Sequence, residues 1–189
     1  MTHSLQWYII HTDTTGSTNA DARVLARSGA AEGTVIVARK QCAGKGQWNR
    51  TWVSPYGGLY FSCILRPTVD QTHWPELSPL IAQAVRAGIA KACDIEPALM
   101  RIKAPNDVVC DDGKLSGILL ESFDGTTIVV GCGVNVARPE KPIETDGRNI
   151  PAYIEDYASD VDASEAFLDH LLSCILREIA LKLTNSLYN

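Results

Sequence analysis

Residues 41–67 read QCAGKGQWNRTWVSPYGGLYFSCILRP and pass from a glycine-punctuated loop into an apolar segment. Gly44 and Gly46 flank Lys45, so the backbone can turn tightly there and bring its N–H groups close to a ligand. After a Ser-Pro-Tyr-Gly-Gly turn, residues 59–65 are mostly aromatic and aliphatic, which predicts a strand. The stretch therefore predicts a ligand-facing loop that leads directly into a strand.

The same part of the chain is basic, although the whole chain of 189 residues has a formal net charge of −5. No Asp or Glu occurs between Glu32 and Asp70. The cations in that interval are Arg39, Lys40, Lys45, Arg50 and Arg66. A local basic excess is typical of a site for a small anion such as a phosphate, but it is also typical of an exposed loop before a hairpin. Charge and spacing alone leave both interpretations open.

Length and composition indicate one globular domain over residues 1–189, with 46% hydrophobic and 21% charged residues. The sequence pI near 5.3 argues against a general nucleic-acid binder. We see no secretory signal at the N-terminus and no apolar run long enough to span a bilayer. The six cysteines form no CxxC pair, so we expect reduced, packed thiols in a cytoplasmic protein rather than disulfides or zinc ligands.

The order of predicted elements favours the α+β class, because strands and helices mix without strict alternation and hairpins are frequent. Strands are predicted over residues 7–11, 34–38, 59–65, 99–103, 108–110, 114–123 and 126–136. Helices are predicted from a cap at Ser17 or Thr18 to about Ser28 with Gly29 as the stop, over residues 77–93, and from a capping-box-like start at Asp162 and Glu165. Residues 138–160 are polar and contain prolines, which predicts a loop or lid.

Several motifs in order resemble the catalytic domain of the biotin–protein ligases, in the biotin and lipoate ligase superfamily. They are Ser17-Thr18-Asn19, the loop from Gln41 to Trp52, Ser54-Pro55 through Leu59-Tyr60, KAPND at 103–107 (similar to KWPND), KLSGIL at 114–119 (similar to KLAGIL) and GCGVNV at 131–136 (similar to GIGxNV). The resemblance covers about residues 14–136. Linked motifs in the right order are far more specific than any one of them alone.

This resemblance implies a mixed, largely antiparallel sheet packed with helices, as in class II aminoacyl-tRNA synthetases. It implies an ATP-dependent, AMP-forming ligase that converts biotin to biotinyl-5′-AMP. The biotin then passes to a lysine of a carrier protein, such as the biotin carboxyl carrier domain of a carboxylase. Biotin, ATP and Mg²⁺ are the implied substrates and cofactor. Two alternatives remain: a lipoate or octanoate ligase, which shares the fold, and a binding protein that holds biotin or its adenylate without transferring it.

The resemblance also assigns residues to roles. Lys114 is implied as the central catalytic group, with Arg50 beside it, and Asp107 as a Mg²⁺ ligand. The implied biotin contacts are Ser17, Thr18, Asn19, Gln41, Gly44, Lys45 and Gly117. The implied nucleotide contacts are Lys45, Gly46, Gln47, Arg50, Trp52, Asn106 and Asn135. A planar guanidinium suits phosphate oxygens, and an aimed ammonium can stabilise charge that develops on the reacting carboxylate and phosphate.

Three departures from the family pattern affect these expectations. Ala104 replaces the tryptophan of KWPND, so the wall that this residue builds is altered. Lys45 and Gln47 stand where many relatives carry arginine, and Asn49 where many carry glycine. We also expect neither an N-terminal helix-turn-helix domain nor a C-terminal SH3-like domain. The expected partners therefore exclude DNA and membranes, and a homodimer is possible.

Overall fold

Seven strands form one sheet in the order β1-β2-β3-β7-β6-β5-β4 in the computed structural model, which describes residues 5–143 and 150–187. The strands are β1 Tyr8–Thr15, β2 Thr34–Gln41, β3 Gly58–Leu65, β4 Met100–Lys103, β5 Asp107–Cys110, β6 Gly113–Ser122 and β7 Ile128–Asn135. Within this described sheet β1 and β2 are parallel, and the other neighbouring strands are antiparallel. The predicted α+β class with a mixed, largely antiparallel sheet is confirmed.

Helices cover both faces of the sheet. They are α1 Thr18–Arg27, α2 Leu77–Cys93 and α3 Glu165–Leu187. On one face α1 packs over β2, β3 and β7 around a small cluster that includes Ala22, Ile36 and Ile64. On the other face α2 and α3 enclose the main core, which includes Ile81, Val85, Ile89, Leu171, Ile175 and Ile179. Burial of these apolar stripes is the main stabilising term. Among the described residues no helix is long and apolar enough to cross a membrane.

Close contact between α2 and α3 depends on Gly88. A Cβ atom at this position would lie 2.5 Å from the Cα of Ile175. Any larger residue at position 88 would therefore push the two helices apart. The contact fixes how α3, which is distant in sequence, closes the core.

The first two strands are longer than predicted, and this extension builds one wall of the site. β1 continues through Thr15 because its parallel pairing with β2 runs to the Thr15–Gln41 pair. Beyond the strands, the Cys42 N–H donates to the Thr15 carbonyl at 2.9 Å, and the Ala43 N–H donates to the Gly16 carbonyl at 2.8 Å. The start of α1 is therefore held directly beside Gln41.

The predicted ends of α1 are confirmed, with Ser17 at the N-cap position, but the predicted side-chain caps of α1 and α3 are wrong. Ser17 occupies the N-cap position of α1 without a side-chain capping bond, and the Thr18 N–H donates instead to Gln41 Oε1 at 2.9 Å. Gly29 has φ +87°, and this left-handed conformation ends the helix as expected. At α3 the capping acceptor is Ser164 Oγ, which receives the Phe167 N–H at 3.2 Å. Local sequence could not show the acceptor at the start of α1, because Gln41 on a distant strand supplies it.

The polar segment 138–160 is only partly a free loop. Residues 144–149 of the predicted loop or lid lie outside the described residues. Further along, the Lys114 N–H donates to the Ile150 carbonyl at 2.7 Å, and the Ala152 N–H donates to the Lys114 carbonyl at 3.0 Å. Residues 150–152 thus brace the start of β6.

Candidate active site

A cleft lies where the start of α1, the end of β2, the 45–52 loop, β6 and β7 meet. It brings together most of the predicted site residues: Ser17, Thr18, Asn19, Gln41, Lys45, Gly46, Gln47, Trp52, Asn106, Lys114 and Gly117. Its lining also includes Ile118, Leu119, Gly131, Cys132 and Gly133. Four predicted residues are not among the described residues of the lining: Gly44, Arg50, Asp107 and Asn135. Residues far apart in sequence thus form one concave surface.

Uncharged polar groups line one end of the cleft. Gln41 Oε1 accepts from the Thr18 N–H at 2.9 Å and lies 3.2 Å from the Thr18 hydroxyl. Gln41 Nε2 donates to Ser54 Oγ at 2.8 Å, so both ends of the amide are held. Gly44 lies behind this wall, where a Cβ atom would be 2.4 Å from the Trp52 carbonyl oxygen and 2.7 Å from Ser54 Oγ. Gly44 is therefore needed for close packing and does not itself face the cleft.

Two glycines form a floor on which the Trp52 indole lies. A Cβ atom at Gly133 would be 2.4 Å from Trp52 Nε1, and one at Gly117 would be 3.1 Å from Trp52 Cζ3. Trp52 Nε1 is buried and has no hydrogen-bond partner in the described part of the chain. The motif at residues 131–136 is visible in the sequence, but the sequence does not show that Gly133 leaves room for the Trp52 indole. The indole gives the middle of the cleft a flat aromatic surface.

A β-bulge brings Lys114 into the cleft. Val109 pairs with Lys114 and Val108 pairs with Ser116, which leaves Leu115 as the extra residue between them. In a regular strand Lys114 and Gly117 would point to opposite faces, since they are three residues apart. The bulge changes this alternation, and both residues line the cleft. Sequence spacing alone places the two residues on opposite faces of the sheet.

Lys114 and Asp107 form an ion pair at the charged end of the cleft. Lys114 Nζ lies 2.7 Å from Asp107 Oδ1, and the two side chains are 20% and 13% exposed. The two groups are close but not aligned as a directed hydrogen bond, since Asp107 Oδ1 is buried without a hydrogen-bond partner in the described structure. The same ammonium lies 5.1 Å from the centre of the Trp52 ring. The ammonium is thus held between a carboxylate and an aromatic face.

Asp107 fits a Mg²⁺ ion that arrives with a nucleotide better than it fits a separate metal centre. No group of three or more His, Cys, Asp or Glu side chains in the described ranges is arranged to hold a metal ion. Mg²⁺ is commonly held by one or two carboxylates together with substrate phosphates. A single buried carboxylate beside the cleft meets that requirement.

The two predicted asparagines brace β6. Asn106 Nδ2 donates to the Ile118 carbonyl at 2.8 Å, and Asn135 Nδ2 donates to the Lys114 carbonyl at 2.9 Å. Both residues are buried, but of the two only Asn106 lines the cleft. Asn135 therefore has a role that the sequence did not reveal, because it fixes the backbone of Lys114 from behind.

The loop before Trp52 turns at a different place from the one predicted. Trp48 and Asn49 have φ of 59° and 58°, whereas neither Gly44 nor Gly46 has a positive φ. Trp48 is 85% exposed. The turn is closed by the Gly46 N–H, which donates to the Arg50 carbonyl at 2.8 Å. Asn tolerates the left-handed conformation better than most residues do, which suits position 49.

The two loop cations face solvent. The side chains of Lys45 and Arg50 are exposed and make no hydrogen bond or ion pair with any other described residue. Lys45 lines the cleft, but Arg50 is outside the described lining. In this conformation Arg50 therefore does not meet Lys114, so a joint action of the two cations requires the loop to move.

Comparisons with known proteins agree on one family. Residues 12–135 match the model of the biotin/lipoate A/B protein ligase family. The chain is 33% identical over 172 residues to the bifunctional ligase/repressor BirA of Bacillus subtilis, with 88% of this chain and 52% of that protein covered. It is 35% identical over 168 residues to the biotin–[acetyl-CoA-carboxylase] ligase of Paracoccus denitrificans, with 86% and 69% covered. The chain thus spans about half the length of the Bacillus protein.

A solved structure gives the same result for the fold. The biotin protein ligase from Aquifex aeolicus in complex with biotin and ATP superposes with a TM-score of 0.75 at 25% identity, over 95% of this chain and 73% of that one. The class II aminoacyl-tRNA-synthetase-like fold implied by the motifs is confirmed.

Proposed function

This chain belongs to the biotin/lipoate A/B protein ligase family, and on that premise we propose that it is a biotin–protein ligase. It would activate biotin with ATP to biotinyl-5′-AMP and transfer the biotin to a lysine of a carrier protein. The relatives named as biotin ligases, and the Aquifex aeolicus structure with biotin and ATP, support biotin over lipoate as the substrate.

One observation carries the proposal: the cleft joins a neutral hydrogen-bonding end to a charged end. Thr18 and Gln41 provide the neutral end, and the Lys114–Asp107 pair provides the charged end. A bicyclic urea with a carboxylate tail needs this arrangement, because its amide-like head is uncharged and its reactive tail is an anion. The Trp52 indole between the ends offers an apolar surface for the middle of the ligand or for the adenylate.

In the first step a biotin carboxylate oxygen attacks the α-phosphorus of ATP, and pyrophosphate leaves. The Lys114 ammonium stabilises the negative charge that develops on the carboxylate and α-phosphate oxygens. Asp107 would hold Mg²⁺, which neutralises phosphate charge when it is bound with the nucleotide. A cation at Asp107 would also replace the ammonium as the partner of this carboxylate, which leaves Lys114 free to face the reacting oxygens.

The loop supplies the remaining contacts of the proposal. Ser17, Thr18 and Gln41 would bind the ureido head, with Asn19 acting through Ser62 and Thr18. The backbone near Gly46 would follow the tail of the ligand, while Gly44 packs behind Gln41. Lys45 and Arg50 would reach phosphate oxygens once the loop closes over the cleft. Gln47, Trp52, Asn106 and Asn135 would complete the nucleotide site, with Asn135 acting through the backbone of Lys114.

In the second step the amine of a carrier lysine attacks the acyl carbon of the mixed anhydride, and AMP leaves. The partner we propose is a biotin carboxyl carrier protein or domain. A cytoplasmic location, a single catalytic domain over residues 1–189 and a possible homodimer belong to the same proposal. The ligase activity alone is proposed for this chain, although some relatives are named as repressors as well.

Pyrophosphate release tests the proposal. With ATP and Mg²⁺ present, release should require biotin, and a carrier domain should then become biotinylated on its acceptor lysine. Parallel reactions with lipoate and octanoate test the other ligase activities. Label transfer from lipoate but not from biotin would show the wrong substrate class. Biotin binding without pyrophosphate release would show a binding protein rather than an enzyme.

A further inference from the structure

A chain of hydrogen bonds runs beneath the neutral end of the cleft and continues to an ion pair outside it. Arg23 NH2 donates to Glu121 Oε1 at 2.7 Å, and Asn19 Nδ2 donates to Glu121 Oε2 at 2.8 Å. Asn19 Oδ1 lies 2.6 Å from Ser62 Oγ, which lies 2.7 Å from Thr18 Oγ1. Glu121 is not among the described residues that line the cleft. The chain therefore links a residue remote from the ligand to one that faces it.

The chemistry of Glu121 fixes the orientation of the Asn19 amide. A carboxylate can only accept hydrogen bonds, so the edge of Asn19 that faces it must be the NH₂ group. The amide oxygen is then turned towards Ser62. Gly131 provides the room for this amide, since a Cβ atom there would lie 2.1 Å from Asn19 Oδ1.

The orientation of the Asn19 amide sets the directions of the hydroxyl protons of Ser62 and Thr18. Because Asn19 Oδ1 only accepts, the single hydroxyl proton of Ser62 must be directed to it. Ser62 then has only lone pairs for Thr18, so the Thr18 proton is directed to Ser62 Oγ or to Gln41 Oε1, at 2.7 Å and 3.2 Å. Either way the Thr18 hydroxyl has no proton left. It offers the cleft an acceptor, which suits a ligand N–H.

We propose that Glu121, held by Arg23, is a positioning residue that makes Thr18 a hydrogen-bond acceptor and so selects the N–H group of the biotin ureido ring. The inference rests on the proposed function, because it assigns the ligand at this end of the cleft to biotin. Glu121 acts through Asn19 and Ser62 without contact with the ligand. Its carboxylate thereby contributes to substrate specificity from outside the site.

The substitution Glu121→Gln should reverse the donor and acceptor roles along the hydrogen bonds that lead from position 121 to Thr18. Arg23 only donates, so it retains the oxygen of Gln at position 121 and leaves the NH₂ group facing Asn19. Asn19 must then turn its oxygen to position 121 and its NH₂ group to Ser62. Ser62 now donates to Thr18, whose own proton is no longer held by Ser62 and can turn to Gln41 Oε1 or to an acceptor in the cleft. The same volume is kept, while Thr18 gains a proton that it can donate to a ligand acceptor and no longer selects a ligand N–H alone.

Titration calorimetry with biotin and its two cyclic carbamate analogues, each with one ureido N–H replaced by oxygen, measures the effect without ATP. The parent should bind biotin much more tightly than the analogue that lacks the N–H at Thr18. In the Glu121→Gln variant the affinity for biotin should fall about ten- to hundredfold. The affinity for that analogue should change little or rise, so the preference collapses.

The double variant Asn19→Asp with Glu121→Gln shows whether an effect of Glu121→Gln comes from the reversed hydrogen bonds or from general damage to the site. The NH₂ group at position 121 then donates to the carboxylate at position 19, which can only accept from Ser62. The original polarity returns, and the double variant should regain the parent's preference for biotin. As a matched control, Glu178→Gln removes a carboxylate paired with Lys91 at 2.6 Å between α2 and α3, and both affinities should stay unchanged.

Each outcome discriminates between the two proposals. Equal biotin preference in the parent and the Glu121→Gln variant, both folded by circular dichroism, would overturn the role of Glu121 and leave the proposed function intact. If the Glu121→Gln variant does not fold, the double variant provides the test. A folded double variant that has lost the preference for biotin over the analogue would overturn the role of Glu121. A parent that binds no biotin would overturn the proposed function itself, and the assigned ligand with it.

Discussion

The substitution Lys114→Ala should slow biotinyl-adenylate formation by about 10²–10³-fold, the usual effect of removing one aimed charge-stabilising donor. The structure motivates this value because the ammonium is held at the charged end of the cleft. It lies 2.7 Å from Asp107 Oδ1 and is only 20% exposed on its side chain. Single-turnover release of pyrophosphate, measured with saturating biotin and ATP, reports this step without the later transfer to a carrier.

The same substitution should also lower stability, and the two effects must be separated. Without the ammonium, the Asp107 carboxylate remains largely buried without its partner. Fully buried pairs cost about 3–5 kcal/mol to break and exposed pairs about 0–1 kcal/mol, so we expect about 1–3 kcal/mol here. For a chain of this size the loss lowers the unfolding midpoint by about 3–9 °C. Rates should therefore be measured well below the midpoint of the variant.

Lys91→Ala is the matched control, because it breaks a lysine–carboxylate pair of 2.6 Å that lies away from the cleft. This variant should lose stability but keep the parent's rate. A Lys114→Ala protein that is folded and forms the adenylate at nearly the parent's rate would remove Lys114 from the mechanism. An equal loss of rate in the Lys91 variant would attribute the effect to stability alone.

Two further predictions concern the loop over the cleft. Residues 43–51 present exposed Lys45 and Arg50 to solvent, so biotin or the adenylate should order the loop and slow its proteolysis; equal cleavage with and without ligand would contradict this. Gln47→Arg should slow adenylate dissociation about tenfold, because a charged hydrogen bond exceeds a neutral one by about 1.4 kcal/mol. With Trp48 85% exposed, that ring does not pack the loop down; release from the variant as fast as from the parent would show that Gln47 is not the weak point.

Much of the site could be predicted because its residues lie in short, ordered motifs. Lys114 was placed where a tight turn enters a strand, and the structure has it in β6 immediately after Gly113. The cysteines were expected to be packed thiols, and Cys63, Cys110 and Cys132 are buried, whereas Cys42 is exposed. Burial raises the pKa of Cys132 to about 12, so this cleft-lining thiol stays protonated at neutral pH.

Contacts between residues that are distant in sequence could not be predicted from local sequence patterns. The capping of α1 by Gln41, the seat of Trp52 on Gly117 and Gly133, and the bracing of Lys114 by Asn135 all join segments that local patterns treat separately. The predicted side-chain cap at Ser17 was wrong for this reason. Motif matching predicts Asn106 and Asn135 as nucleotide contacts, and the structure adds that their Nδ2 groups hold β6.

The sequence by itself determined which segments become strands and helices, because hydrophobic period and turn residues act over a few neighbours. It also determined the family, because six motifs recur in order. Only the tertiary structure decided which way Lys114 points, since a single extra residue at Leu115 changes the alternation of β6. The tertiary structure alone also decided whether the Thr18 hydroxyl donates or accepts a hydrogen bond in the cleft. A hydroxyl can donate or accept, and its choice is set by partners as distant in sequence as Glu121.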